Sequence, residues 1–164
     1  MWENNGINNI LQIKIGSDGI VLANMKTAMQ FNLTSKELFL ALAEFVPYQN
    51  KIIRNPYQYW SQINPNLPNI RILFYGPGDS SGTKDILVEL IMHKHCLTDP
   101  IFTKKFPNMN RRLSSCSIIR EDGAYLRMGE NDNVIVHKLI QNRNALGIFG
   151  YSFLENNNGF LQGT

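Results

Sequence analysis

The chain has 164 residues, 43% of them hydrophobic and 18% charged, with a formal net charge of +3. That length and composition suit one domain with enough apolar residues to build a core, and no apolar run approaches the length of a membrane span. Nucleic acid demands a dense basic stripe, whereas here the basic residues are scattered and only Lys104–Lys105 and Arg111–Arg112 are adjacent.

In chain order, residues 10–15 and 19–23 read as strands around the turn Gly16-Ser-Asp-Gly19. Thr34-Ser-Lys-Glu37 has the pattern of a capping box, with Thr34 as N-cap and Glu37 reaching back. Leu38, Ala41, Leu42 and Phe45 then recur at helical spacing, and Pro47 is expected to stop the helix. The Asn- and Pro-rich stretch 55–69 reads as irregular, with a short helical turn around Trp60. Residues 70–75 form a strand. A helix over 85–93 buries Ile86, Leu87, Leu90 and Ile91. A further helix over 132–142 turns Ile135, Val136, Leu139 and Ile140 inward, with Asn144 as a left-handed cap. A strand over 146–151 closes the series. Strands alternating with helices imply an α/β layer.

The richest stretch is Gly76-Pro-Gly-Asp-Ser-Ser-Gly-Thr-Lys-Asp85, between an apolar strand and a helix. The first N–H groups of a helix lack intrahelical partners, and the dipole there favours negative charge. Gly82 permits close approach of a ligand to the backbone. Ser80, Ser81 and Thr83 add hydroxyls and Lys84 adds a positive charge, the donor mixture that a tetrahedral oxyanion needs. A nucleotide-binding phosphate loop ends Gly-Lys-Ser/Thr. Here the order is Gly82-Thr83-Lys84 and the glycine spacing departs from that motif, which speaks against it. The plain alternative is a serine-capped helix with no ligand.

This segment resembles the Ser-Gly-Thr-Arg anion loop of bacterial periplasmic phosphate-binding proteins, the solute receptors of ABC-type phosphate importers. Three other segments resemble the same family in the same order: Ile15–Ala23, Ile119–Tyr125 with Gly129–Asn133, and Ala145–Leu154. The stretch from Leu33 to Pro68, with Trp60, also fits, so the resemblance covers essentially the whole chain. It implies an α/β fold of the type II periplasmic-binding-protein kind, here one lobe plus crossover strands. Residues 25–145 would form the lobe, and 1–24 and 146–164 the crossover segments. Apolar residues of those strands, such as Ile20, Leu22, Ile148 and Phe153, are expected to be less covered than the core. The N-terminal lobe and a signal peptide are not in this sequence, as a truncated or split reading frame would explain.

The resemblance assigns the phosphate-binding role to Ser81, Gly82, Thr83 and Lys84, with their N–H groups kept free for the ligand. Lys84 stands where the family typically has Arg, a mobile point charge in place of a planar fork. The family's discriminating carboxylate belongs to the lobe absent here. Of the nearby acids, Asp79 reads as an Asx-type turn residue and Asp85 as a dipole-complementing one. Cys96 and Cys116 form a candidate disulfide, since a pair at these positions can be bridged in the family, as suits an oxidising periplasm.

Arg120, Glu121, Asp122, Glu130 and Asp132 read as a structural segment leading into the helix at Asp132. His93 and His95 are spaced i, i+2 and do not share a helix face. With His137 they read as surface or helix-end residues, so no metal site is expected, nor any cofactor. Trp2 and Trp60 read as packing residues. The function implied is a non-catalytic phosphate-binding component of an ABC-type importer. It would be a monomer, with inorganic phosphate as ligand and a membrane permease as partner. It would be periplasmic by resemblance, or cytoplasmic if made without a leader. The competing readings are a degenerate fragment that binds nothing tightly, and an enzyme acting on phosphorylated substrates. The latter would need a catalytic set that is not visible in the sequence.

Overall fold

The computed structural model describes residues 11–17, 20–25, 32–129 and 131–150. In chain order its elements are β1 (Leu11–Ser17), β2 (Ile20–Met25), α1 (Ser35–Leu42), β3 (Phe45–Tyr48), β4 (Lys51–Arg54), α2 (Trp60–Ile63), β5 (Phe74–Gly76) and α3 (Gly82–Leu87). A π-helical stretch, Val88–His93, then α4 (Lys94–Thr98), α5 (Pro100–Lys105), α6 (Met109–Cys116), β6 (Tyr125–Arg127), α7 (Asp132–Gln141) and β7 (Leu146–Gly150) complete the series. The chain divides into two compact units, one including Leu73–Lys84 and the residues flanking β2 and β7, the other spanning Phe31–Ile72 and Asp85–Tyr125.

The first unit is built on a mixed sheet in the order β1-β2-β7-β5-β6. β1 and β2 form an antiparallel pair, β2 and β7 are antiparallel, and β5 runs parallel to β7. α7 lays Ile135 and Leu139 on this sheet against Val21, Ala23, Tyr75, Ala145 and Phe149. Gly147 permits the close approach. A Cβ there would stand 2.7 Å from Leu139 Cδ1 and 2.9 Å from Ile135 Cγ2, inside van der Waals contact. Asn131 starts α7, its side chain accepting from the Asn133 amide.

The second unit is mostly helical. Thr34 and Glu37 form the reciprocal capping box at the start of α1. Leu38, Phe39, Leu42, Trp60, Leu87, Met92, Cys96 and Phe102 are buried, with the Phe39 and Phe102 rings edge-to-face at 6.1 Å. Arg120 is also buried, with 1% of its surface exposed. Its guanidinium donates to Ala41 O at 3.0 Å, to Tyr57 O at 2.7 Å and to both Asp122 carboxylate oxygens at 2.9 and 2.8 Å. One side chain thus ties together the end of α1, the loop before α2 and its own segment. The hydrogen bonds from Arg120 hold the Asp122 carboxyl below the usual carboxylate range. Cys96 and Cys116 are joined through their sulfurs, with Cα atoms 6.1 Å apart, a normal spacing for a disulfide.

Several local expectations change. The helix of α1 ends at Leu42, and Pro47 lies inside β3, which pairs with β4 as a hairpin. Gln49 and Asn50 make the tip with φ of 50° and 65°, a left-handed turn of the kind tight hairpins require, formed without glycine. The expected strand 70–75 is confined to Phe74–Gly76. The helix after the loop runs on to Thr98 and buries Leu87, Val88, Met92 and Cys96, leaving Ile86, Leu90 and Ile91 half-buried. Its wider π turn rotates the apolar stripe away from a regular 3.6-residue period. Ile140, expected inward, is 47% exposed. Asn144 is not left-handed, and Asn142 caps α7 with φ −130°. Ile20, Leu22 and Ile148 are as buried as the core, at 6%, 3% and 0% exposed, because β2 and β7 are interior strands of the sheet with neighbours on both sides. Phe153, Trp2 and Glu130 lie outside the described residues.

Replacing Arg120 with Ala would leave two buried carbonyls without their donor. We expect a loss of roughly 2–4 kcal/mol of stability, measured by urea unfolding. Asp122 has a depressed pKa, so its contribution is present above the ordinary carboxylate pKa and is lost as the pH falls through the lowered one. Reduction of the Cys96–Cys116 pair should remove about 3 kcal/mol in the chain-entropy picture. A thiol titration of the unfolded, unreduced protein should find no free sulfhydryl.

Candidate functional site

β5 is short because its chain must leave the sheet at Gly76 and turn through Pro77–Ser81 into the helix that opens at Gly82. The first turn of that helix carries Gly82, Thr83 and Lys84, so three of the four residues assigned to phosphate share one helix N-terminus and Ser81 is its cap. The Ser81 hydroxyl accepts from the Thr83 amide at 3.1 Å, and the Ser81 amide donates to Gly78 O at 3.1 Å. The expectation that all these amides stand free is therefore corrected. A serine at this position caps its own helix, because its side chain reaches the second helical N–H. Gly82 is the exposed member, and a Cβ built on it would meet no atom within 4 Å among the described residues.

Asp79 does not close the expected Asx turn. Its Oδ1 accepts from Arg127 Nε at 2.9 Å and lies 3.9 Å from Lys84 Nζ. The hydrogen bond from Arg127, together with the charges of Arg127 and Lys84, holds the Asp79 carboxyl below the usual carboxylate range. Asp79 is 66% exposed, whereas Lys84 and Arg127 are 22% and 28% exposed. Water screens such a pair, so it contributes little to stability. The backbone fixes the geometry. The Met128 amide donates to Gly76 O at 2.9 Å and the Gly78 amide to Gly129 O at 3.3 Å, so β6 runs beside the start of the loop. Gly129 takes φ +74° there, a left-handed conformation suited to glycine.

Arg127 is the residue that sequence reasoning missed. A lone arginine at a strand end carries no local signal, and its partner Asp79 lies 48 residues away in the chain. The acidic segment from Arg120 to Asp132 does not come together as one cluster: Arg120 and Asp122 form their own pair, and Asp132 opens α7, where burial raises its carboxyl pKa. His93 and His95 bond instead to Ser117 and Ser35 hydroxyls at 2.6 and 2.8 Å. Among the described residues no group of His, Cys, Asp and Glu could hold a metal ion.

Several known proteins are similar to this chain. Protein SphX of Synechococcus elongatus is 27% identical over 103 residues, covering 63% of this chain and 23% of that protein. The phosphate-binding protein PstS of Staphylococcus saprophyticus is 26% identical over 152 residues, covering 92% of this chain and 36% of its own length. The chain thus spans about a quarter to a third of the length of these curated relatives. Among solved structures, a possible phosphate-binding protein from Planctomyces limnophilus superposes with a TM-score of 0.54 at 20% identity, over 96% of this chain and 44% of that one. PstS of Borrelia burgdorferi gives 0.52 at 19% identity, over 94% and 49%. At these identities the two structures speak to the fold, which they share with this mixed α/β chain. A family model for the PBP superfamily domain matches residues 1–160. The chain belongs to the PBP superfamily domain family.

Proposed function

We propose that this chain binds inorganic phosphate through Ser81, Gly82, Thr83 and Lys84, as the non-catalytic solute-binding part of an ABC-type phosphate importer. The observation that carries this reading is the Ser-Gly-Thr-Lys segment at a helix N-terminus, in a chain of this family. Relatives named as phosphate-binding proteins support the choice of anion. A membrane permease is the partner this role requires. The Cys96–Cys116 pair fits an oxidising compartment such as the periplasm. Among the described residues no helix is long and apolar enough to cross a membrane.

The mechanism is electrostatic. The Gly82 amide and the helix dipole face the anion, the Thr83 hydroxyl donates, and Lys84 adds charge. Ser81 serves twice: its hydroxyl caps Thr83 in the free protein, and it must rotate if the Thr83 amide is to serve the ligand. Binding therefore exchanges internal bonds for ligand bonds, and the net gain is small. The same exchange favours a second reading, a loop that holds anions only weakly.

Titration of the ¹⁵N-labelled chain with sodium phosphate at constant ionic strength separates these readings. We expect saturable shifts of the Gly82 and Thr83 amides, with half-saturation on the order of 1 mM, a binding free energy of about −4 kcal/mol. Lys84→Ala should weaken this about tenfold, and Lys84→Arg should tighten it several-fold by supplying a planar fork. Absence of saturable shifts up to tens of millimolar would overturn the reading. Equal affinity for sulfate would reduce it to an unselective oxyanion loop.

A further inference from the structure

The hairpin of β3 and β4 carries an open strand edge. Lys51 lies opposite Tyr48, and the loop between them has two residues, both left-handed, so this pair closes the turn with main-chain hydrogen bonds. Bonded and non-bonded pairs alternate along an antiparallel ladder, and Ile52 and Arg54 therefore turn their N–H and C=O groups away from β3. Pro47 opposite Ile52 fits this phase, because its missing N–H falls on the side away from β4. β3 and β4 make a two-stranded sheet, so the far side of β4 is an edge. Among the described residues no other segment bonds to the Ile52 main chain.

A groove of about 680 Å³ runs between β4 and α5, within the size range of ligand sites. Lys51 and Ile52 both line it. Successive side chains of a strand point to opposite faces, so a groove touching both follows the edge of β4. Pro100, Ile101, Lys104 and Lys105 of α5 form the opposite wall. Ile52 and Ile101 are half-buried and make an apolar floor, while Lys51, Lys104 and Lys105 are exposed around it. No Asp or Glu lines the groove, and none of the three lysines is paired with a carboxylate among the described residues. The nearby Asp99 carboxylate is spent on the Ile101 and Phe102 amides, at 2.8 and 3.2 Å. Edge lysines repel like-charged strands, and the net charge of +3 argues against a second copy of this chain. A nucleic acid or an anionic membrane would use the lysines and leave the strand edge idle. We infer that this groove docks an acidic, extended segment of a partner protein, which adds a strand beside Ile52 and sets its carboxylates against Lys51, Lys104 and Lys105. The inference is independent of the phosphate reading of the Ser81–Lys84 loop.

The probe is a short capped peptide of alternating Glu and Val, titrated into the ¹⁵N-labelled full chain. Saturable shifts are expected at the amides of residues 50–54 and 101–105, with half-saturation on the order of 1 mM. N-methylation of every peptide amide keeps the charge and removes the ladder donors, and should weaken binding roughly fivefold or more. Lys104→Gln with Lys105→Gln should weaken it about tenfold, and the corresponding Glu pair should transfer the preference to an alternating Lys and Val peptide. Amide dispersion reports folding, and Lys51→Gln carries the charge test if the α5 variants do not fold. No saturable shift at these amides would overturn the inference, leaving the lysines as guards of the edge. Undiminished binding of the N-methylated peptide would overturn strand addition. Equal binding of the Lys and Val peptide by the parent would overturn the selection for acid. Engagement of these residues by phosphatidylglycerol vesicles or single-stranded DNA, with no response to the Glu and Val peptide, would overturn the choice of a protein partner.

Discussion

The parallel pairing of β5 with β7 is the constraint from which the candidate site follows. β5 lies between β7 and β6, and the chain leaves its carboxyl end at Gly76. It turns through a small-residue loop and enters a helix, which leaves that helix's N-terminal amides at the end of the strand. In open α/β sheets the region beyond the carboxyl ends of the strands is where ligands bind, for this reason. The buried partners of β5, including Tyr75 against α7, keep the strand in place. The loop is thereby anchored at one end by the sheet and at the other by a long helix.

A second consequence concerns charge. β6 on the other side of β5 places a cation beside the loop without any local sequence motif, through hydrogen bonds of the main chain at Gly76 and Gly78. The loop carries its amides and hydroxyls in one contiguous segment, and a distant strand places the Arg127 guanidinium against Asp79. Asp79 links the two, which gives an acidic residue in a positively charged loop a physical role. The internal bonds of Ser81 and Thr83 show the loop settled in a self-capped state.

The unit around α1 and the long helix uses buried polar chemistry differently. Arg120 is fully enclosed, yet every bond it makes there goes to a carbonyl or to the Asp122 carboxylate. Asn55 acts similarly, donating to Leu40 O and Ala43 O at 2.7 and 2.8 Å. These side chains satisfy backbone groups where α1 ends, in place of a glycine cap. The acidic and basic residues of this region therefore serve the fold.

Local signals in the sequence determined what depends on neighbours along the chain. The Thr34–Glu37 capping box, the β1–β2 pair, the inward Ile135 and Leu139 of α7, and the loop-to-helix junction at Ser81–Gly82 each follow from residues within a few positions of one another. So does the family resemblance, which is written in short ordered segments. Only the tertiary structure decided the rest. At the hairpin tip Asn50 suits a left-handed conformation but Gln49 does not, and strand pairing outweighs the cost of placing it there. The π turn rotates the apolar stripe of the long helix, which no regular period could foretell. Ile20, Leu22 and Ile148 are buried because their strands are flanked on both sides, a property of sheet order. Arg127 reaches Asp79 across 48 residues because two backbone hydrogen bonds align β6 with the loop, and a contact set by long-range strand pairing leaves no trace in the local pattern of the chain.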